Sequence, residues 1–257
     1  MTILNDFIAN LPHYLIGLPI ILLSLSFHEM CHGYISLKLG DPTARNLGRL
    51  TLNPVKHIDP IGFICMFLFH FGWANPVPIN TRNFKNPRRD MALSALAGPV
   101  SNVVLAIIFA VALRIAIIPV DSLFEQDIIT IWQSVYTGTA YTVSTGFAIV
   151  SILIYMLYLG VSINLSYAIF NLIPVPPLDG SRIFYVMLPP KWYFGVMKYE
   201  RIIMLAMLAL LWIGILDLPL SLAVNGIKTG LFSLFGMDHE YRAFGAVLNH
   251  IARGMYY

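Results

Sequence analysis

The chain has 257 residues, of which 58% are hydrophobic and only 11% charged, with a formal net charge of +3. A soluble domain carries about 25% charged residues, so this composition excludes an ordinary water-soluble domain and describes an integral membrane protein. No nucleic-acid partner is expected from it. At about 20 residues per crossing plus loops, the length accommodates about four to six helical spans.

In chain order, the first apolar segment covers 14–37. It has no basic n-region and no small-residue cleavage site, so it is expected to be retained as a span. A second apolar piece, 61–74, is too short to cross as a helix and reads as re-entrant or interfacial. Segments 91–118, 147–173 and 202–224 are each long enough to span. The region between the first two spans has strand-like chemistry. "GRLTLNP" alternates, "IGFICMFLF" is β-branched and aromatic, and the prolines of "NPVPIN" exclude a helix interior. The expected fold is therefore an all-α polytopic membrane protein of about four transmembrane helices, with a small membrane-re-entrant β element at about 43–80. An edge strand of that element is expected to be open to strand addition by an extended chain. One domain is expected over 1–257, with 225–257 as a C-terminal extension that is either interfacial and amphipathic or loosely ordered. Cys31 and Cys65 lie in apolar surroundings without metal-type pair spacing and read as small packing residues.

Lys and Arg give the orientation. Lys38, Arg45, Arg49, Lys56, Arg82, Lys85, Arg88 and Arg89 lie between the first two spans, and Arg182, Lys191, Lys198 and Arg201 between the last two. The stretch 119–146 has neither Lys nor Arg and carries Asp121, Glu125 and Asp127. This alternation puts the N-terminus outside and 38–90 in the cytoplasm. The setting is expected to be the cell membrane.

Within the first span, "SFHEMCH" (26–32) places three ionisable groups in apolar surroundings. His28 and His32 are four apart, so they project from one helix face about 6 Å from each other along the axis. That is an H-E-x-x-H pattern: two imidazoles for one metal ion, with Glu29 beside them to take a proton from water. In a soluble helix the pattern could be a solvated polar face. Inside a membrane each charge costs about 2.5–3.5 kcal/mol on insertion scales, which favours a functional reading. Lys38 lies ten residues beyond His28, about 15 Å of helix, so a metal there would sit in the inner half of the bilayer.

A zinc hydrolase needs a third protein ligand and an open position. His57, in "VKHIDPIG", is expected to order a loop; His13, His70, His239 and His250 are poorly placed. Asp179 in "NLIPVPPLDG" follows the third span at a suitable depth, as ligand or as an Asp-Gly turn residue. Asn102 and Asn171 lie in apolar spans. Each either bonds between helices or contacts the substrate backbone or an oxyanion.

Taken together, "SFHEMCH", "LAGPVSN" (96–102) and "FNLIPVPPLDG" (170–180) resemble the site-2 protease family of intramembrane zinc metalloproteases. "GDPTARNLGRLTLNPVKHIDPIG" and "NPVPINTRNFKNPRRDMALSALAGPVSN" are similar to its compact prokaryotic branch, which lacks an attached PDZ or CBS domain. The resemblance implies one Zn2+ held by His28, His32 and Asp179, with Glu29 as catalytic acid and base. It also implies transmembrane protein substrates cleaved in the bilayer, and it places Asn102 and Asn171 near the site without assigning their roles. A metal transporter, or a non-catalytic membrane chaperone on the same fold, would also bury His, Glu and Asp in a bundle. Intact Glu29 and the clustering of the polar residues at one depth speak for the protease.

Overall fold

The computed structural model describes residues 2–69, 72–123, 145–187, 189 and 198–238. Its helices are α1 (Thr2–Lys38), a single turn α2 (Thr43–Asn46), α3 (Pro60–Phe69), α4 (Pro87–Leu123), α5 (Thr145–Asn171), α6 (Asp179–Tyr185), α7 (Glu200–Trp212) and α8 (Asp217–Leu234). Short 3-10 turns cover Pro54–Lys56 and Thr81–Asn83. Among the described residues, three stretches are long and apolar enough to cross a membrane: Leu15–Lys38, Pro87–Pro119 and Ile149–Asn171.

α4 is the central element and packs against both α5 and α1. Ala106, Ala110, Leu113 and Ile117 recur at helical spacing on its buried face. They meet Ile154, Tyr158, Val161 and Leu165 of α5, and Phe232 and Met237 close the cluster from the C-terminal side. Gly160 permits the approach, because a Cβ there would lie 2.5 Å from the Phe109 ring. The opposite face of α4 leaves Val103, Ile107, Ile108, Val111, Ile115 and Ile118 exposed. A bare apolar stripe of this kind faces lipid in a membrane protein and would be an aggregation liability in water. α1 is patterned in the reverse sense: Ser24, Ser26, His28, Glu29, His32 and Ser36 are all buried.

Two expectations are corrected. The region 43–80 contains no strand among the described residues; it holds α2, two 3-10 turns, α3 and one isolated antiparallel bridge between Ile58 and Ala74. The reason lies in "IDPIG". Asp59 caps α3 by accepting from the Gly62 N–H (2.8 Å), and Pro60 takes the first helical position, where its missing N–H costs nothing. These start signals outweigh the β propensity of the residues that follow. The chain still returns to where it left. The Asn75 N–H donates to the His57 carbonyl (2.8 Å), and Gly62 and Gly72 pack backbone to backbone. The edge strand expected to be open to strand addition is therefore absent here. From Ala74 to Asn80 the chain runs as an extended strap, kept from helix by Pro76 and Pro78.

The expected fourth span, 202–224, is interrupted. α7 ends in a Schellman turn: Gly214, at φ +80°, donates to the Leu211 carbonyl, and Ile215 to that of Leu210. Gly214 can take this left-handed conformation without a Cβ penalty. α8 then runs from Asp217 and packs on α5, where buried Lys228 lies 3.3 Å from the Tyr158 hydroxyl. Most of the acidic stretch 119–146 and the tail beyond 238 fall outside the described residues.

α1 ends at Gly40 (φ +111°) in the same kind of turn, which delivers Asp41 into the protein with no exposure. There its carboxylate accepts from the Thr43 N–H and hydroxyl, the Asn80 N–H (2.7 Å) and the Asn83 amide (2.7 Å). Burial alone would raise this carboxyl; the bonds from Thr43, Asn83 and Asn80 outweigh it and hold the group below its ordinary range. Asp41→Ala is expected to cost about 2–4 kcal/mol at neutral pH, because buried donors are left unpaired. With a folded pKa depressed below the unfolded value of about 3.9, Asp41 contributes fully above about pH 4, and its contribution is lost as pH falls through the folded value. Thermal unfolding in detergent from pH 7 to pH 3 should show the gap between wild type and variant closing at the acid end.

Candidate metal centre

His28, Glu29 and His32 stand on the buried face of α1 because a helix brings positions four apart into register. Asp179 reaches them from the other end of the chain. α5 stops at Asn171, and Pro174, Pro176 and Pro177 preclude its continuation. Ser181 then ties the turn by donating through both N–H and hydroxyl to the Leu178 carbonyl, and α6 begins at Asp179. Gly180 is required there, since a Cβ would lie 2.3 Å from the Leu172 carbonyl oxygen.

The three side chains converge. Nε2 of His28 and Nε2 of His32 are 2.9 Å apart, and Oδ2 of Asp179 is 3.2 Å from each. His32 Nδ1 lies 2.8 Å from the Ser94 carbonyl, which only accepts, so Nδ1 carries a proton, and in its neutral form the ring turns a lone pair inward on Nε2. Asp179 Oδ2 is buried and accepts no hydrogen bond. Three lone-pair atoms held this close repel unless a cation stands among them. A tetrahedral zinc ion with N and O ligands at about 2.0–2.2 Å separates its donors by about 3.3 Å. The donor set, its spacing and the orphaned carboxylate oxygen thus fit a zinc ion. Gly98 on α4 backs the site: a Cβ there would lie 2.5 Å from His28 Cε1 and 2.4 Å from His32 Cε1.

Glu29 is the neighbour of His28 on α1 and is buried with it. Its Oε2 accepts from the Val77 N–H at 2.9 Å. Val77 belongs to the strap and, between two prolines, has the single backbone donor of 76–78. Arg49 holds the strap from the other side through the Asn75 carbonyl (2.7 Å). Sequence reasoning did not identify Val77, and Pro-Val-Pro, which isolates one donor, is the signal that points to it.

The two asparagines part company. Asn102 is fully buried, its Oδ1 2.6 Å from His28 Nδ1 and its Nδ2 donating to Asn164 Oδ1 (2.8 Å). Asn171 is half-buried and donates to the Tyr167 carbonyl on its own helix (3.0 Å). His57 stays outside the cluster, buried, with Nε2 donating to the Thr51 carbonyl (2.8 Å), and so serves its loop. Ser94 and Asn164 were also not singled out in the sequence. Ser94 acts through its carbonyl, which no side-chain pattern reveals.

The model of peptidase family M50 matches residues 16–214. A Bacillus subtilis (strain 168) protein named "Putative zinc metalloprotease YwhC" is 38% identical over 185 residues, covering 71% of this chain and 72% of its own length. "Putative zinc metalloprotease Rip2" of Mycobacterium tuberculosis (strain H37Rv) is 26% identical over 233 residues, covering 88% and 76%. The Rip2 protein of Mycolicibacterium smegmatis is 27% identical over 163 residues, covering 62% and 52%. No solved structure matches the chain.

Gly98→Ala is expected to displace both imidazoles and to reduce zinc bound per protein to well under half, by elemental analysis of the purified protein. Gly226→Ala, which meets nothing within 4 Å, is the control and should leave zinc content unchanged.

Proposed function

Since this chain belongs to peptidase family M50, the site-2 protease family, and is a zinc metalloendopeptidase in a multi-pass membrane protein, we propose that it hydrolyses peptide bonds within or next to the transmembrane segments of other membrane proteins. His28, His32 and Asp179 hold one zinc ion, and Glu29 is the general base and acid. The observation that carries this reading is the buried triangle of two imidazole nitrogens and an unbonded carboxylate oxygen beside Glu29.

A bound zinc ion supplies Lewis acidity, which polarises the scissile carbonyl and makes water a competent nucleophile near neutral pH. Glu29 takes the proton of the attacking water and returns it to the leaving amine. Its bond from the Val77 N–H holds the carboxylate in place beside the two histidines. A transmembrane helix hides its carbonyls in its own hydrogen bonds, so the substrate unwinds locally before it is cut. Half-buried Asn171, beside the Pro-rich turn, then meets that unwound backbone, a reading supported by its partial exposure. The site opens toward the cytoplasm and the N-terminus lies outside. Exposed Arg45, Lys56, Arg82, Lys85 and Arg88 all follow the metal-binding half of α1 or precede the core of α4, as cytoplasmic charges do.

The test is Glu29→Gln in liposomes, with a single-span model substrate. Cleavage is expected to fall by about 10²–10⁴-fold, with zinc content unchanged. Undiminished cleavage by this variant would remove Glu29 from the mechanism.

A further inference from the structure

The proposal concerns a polar chain in the middle of the bundle. Asn164 on α5 donates through Nδ2 to the Gly160 carbonyl (2.8 Å) and lies 2.9 Å from the Ser24 hydroxyl on α1. Its Oδ1 accepts from Asn102 Nδ2 on α4 (2.8 Å), and Asn102 Oδ1 stands 2.6 Å from His28 Nδ1. Ser24, Asn102 and Asn164 have no solvent exposure.

The direction of this chain follows from its far end. A backbone carbonyl only accepts, so the Asn164 atom facing Gly160 is the amine, and its other amide atom is the oxygen. An oxygen there requires the amine of Asn102 opposite it. Asn102 then presents its own oxygen to His28, which must carry its proton on Nδ1. The remaining ring nitrogen, Nε2, is left with its lone pair aimed at Asp179 and His32. Reversing any member would set two acceptors or two donors against each other in an apolar interior, at about 1–3 kcal/mol for each unpaired group.

We propose that Asn102 and Asn164 are positioning residues of the metal centre, a two-amide relay that holds His28 in its metal-binding tautomer. The relay rests on the reading of His28 as a zinc ligand. Of the two readings open for Asn102, it takes the bond between helices and not contact with substrate or oxyanion, since Asn102 is sealed between His28 and Asn164. Its far member, Asn164, acts on the metal through two intervening hydrogen bonds, and nothing in the H-E-x-x-H or L-D-G patterns points to it.

The experiment measures zinc affinity by chelator competition on the full-length protein in detergent, together with 15N resonances of labelled histidine in the zinc-free form. In wild type, His28 is expected to be protonated at Nδ1. Asn102→Leu should weaken zinc binding by about 10–100-fold and give His28 a mixture of tautomers. Asn164→Leu should weaken it in the same direction by less, and in the Asn102→Leu background should add no further loss. Asn102→Asp keeps an acceptor for Nδ1 but sets a second oxygen against Asn164 Oδ1, so it should restore the Nδ1-protonated form of His28 while recovering only part of the affinity. Ser166→Ala removes a hydrogen bond within α5 (2.9 Å, to the Ser162 carbonyl) and should leave affinity unchanged. A purely structural role would lower thermal stability while zinc affinity stayed at the wild-type value; that result overturns the proposal, as does wild-type His28 protonated at Nε2. Undiminished zinc binding by His28→Ala would instead bring down the ligand assignment on which the relay depends.

Discussion

A polar group taken into an apolar bundle costs several kcal/mol unless its donors and acceptors find partners there. α1 carries Ser24, Ser26, His28, Glu29, His32 and Ser36 on its buried side, and much of the architecture answers that demand. Ser26 turns back to the Leu22 carbonyl, and Ser36 pairs with Ser94. Each histidine gives its Nδ1 to α4, one to a side chain and one to a carbonyl. Glu29 draws the strap in over Gly33, where a Cβ would lie 3.0 Å from the Val77 side chain. The packing of α1 against α4 is as much a matter of satisfying these groups as of filling volume.

The parts of this design that repeat along the chain were legible in its sequence. Apolar length marked the helices at 14–37, 91–118 and 147–173, and the four-residue spacing of His28 and His32 fixed a shared face. Asp179 required more, since a turn aspartate and a ligand aspartate look alike until the helix before it is seen to stop beside α1. The errors came from capping signals read too lightly. Asp59-Pro60 starts a helix where β-branched and aromatic residues suggested strands. Gly214 followed by Ile215 ends one inside a run of apolar residues that suggested a single span. Propensity summed over a segment lost in both places to one or two residues that satisfy backbone groups at a helix end.

The contacts that lay beyond sequence reasoning are those made by backbone. Ser94 and Gly160 offer carbonyls, and Val77 offers an N–H. Main-chain atoms are the same at every position, so their use by a site leaves no compositional trace. In Val77 the trace is indirect, a valine whose neighbours cannot donate. The strap also links the candidate centre to the loops beyond the end of α1, because Arg49 and Asp41 hold it at either side of Val77. The position of Glu29 is in this way tied to residues outside the histidine and aspartate cluster.

The distance in sequence between the ligands has a meaning in time. His28 and Asp179 are about 150 residues apart, which at roughly 5–20 residues per second is roughly 8–30 s of synthesis. During that interval the nascent first helix holds two imidazoles and a carboxylate while Asn164, and after it Asp179, are still to be made. On the proposed ligand set, the centre stays incomplete until α5 and the turn after it have been made.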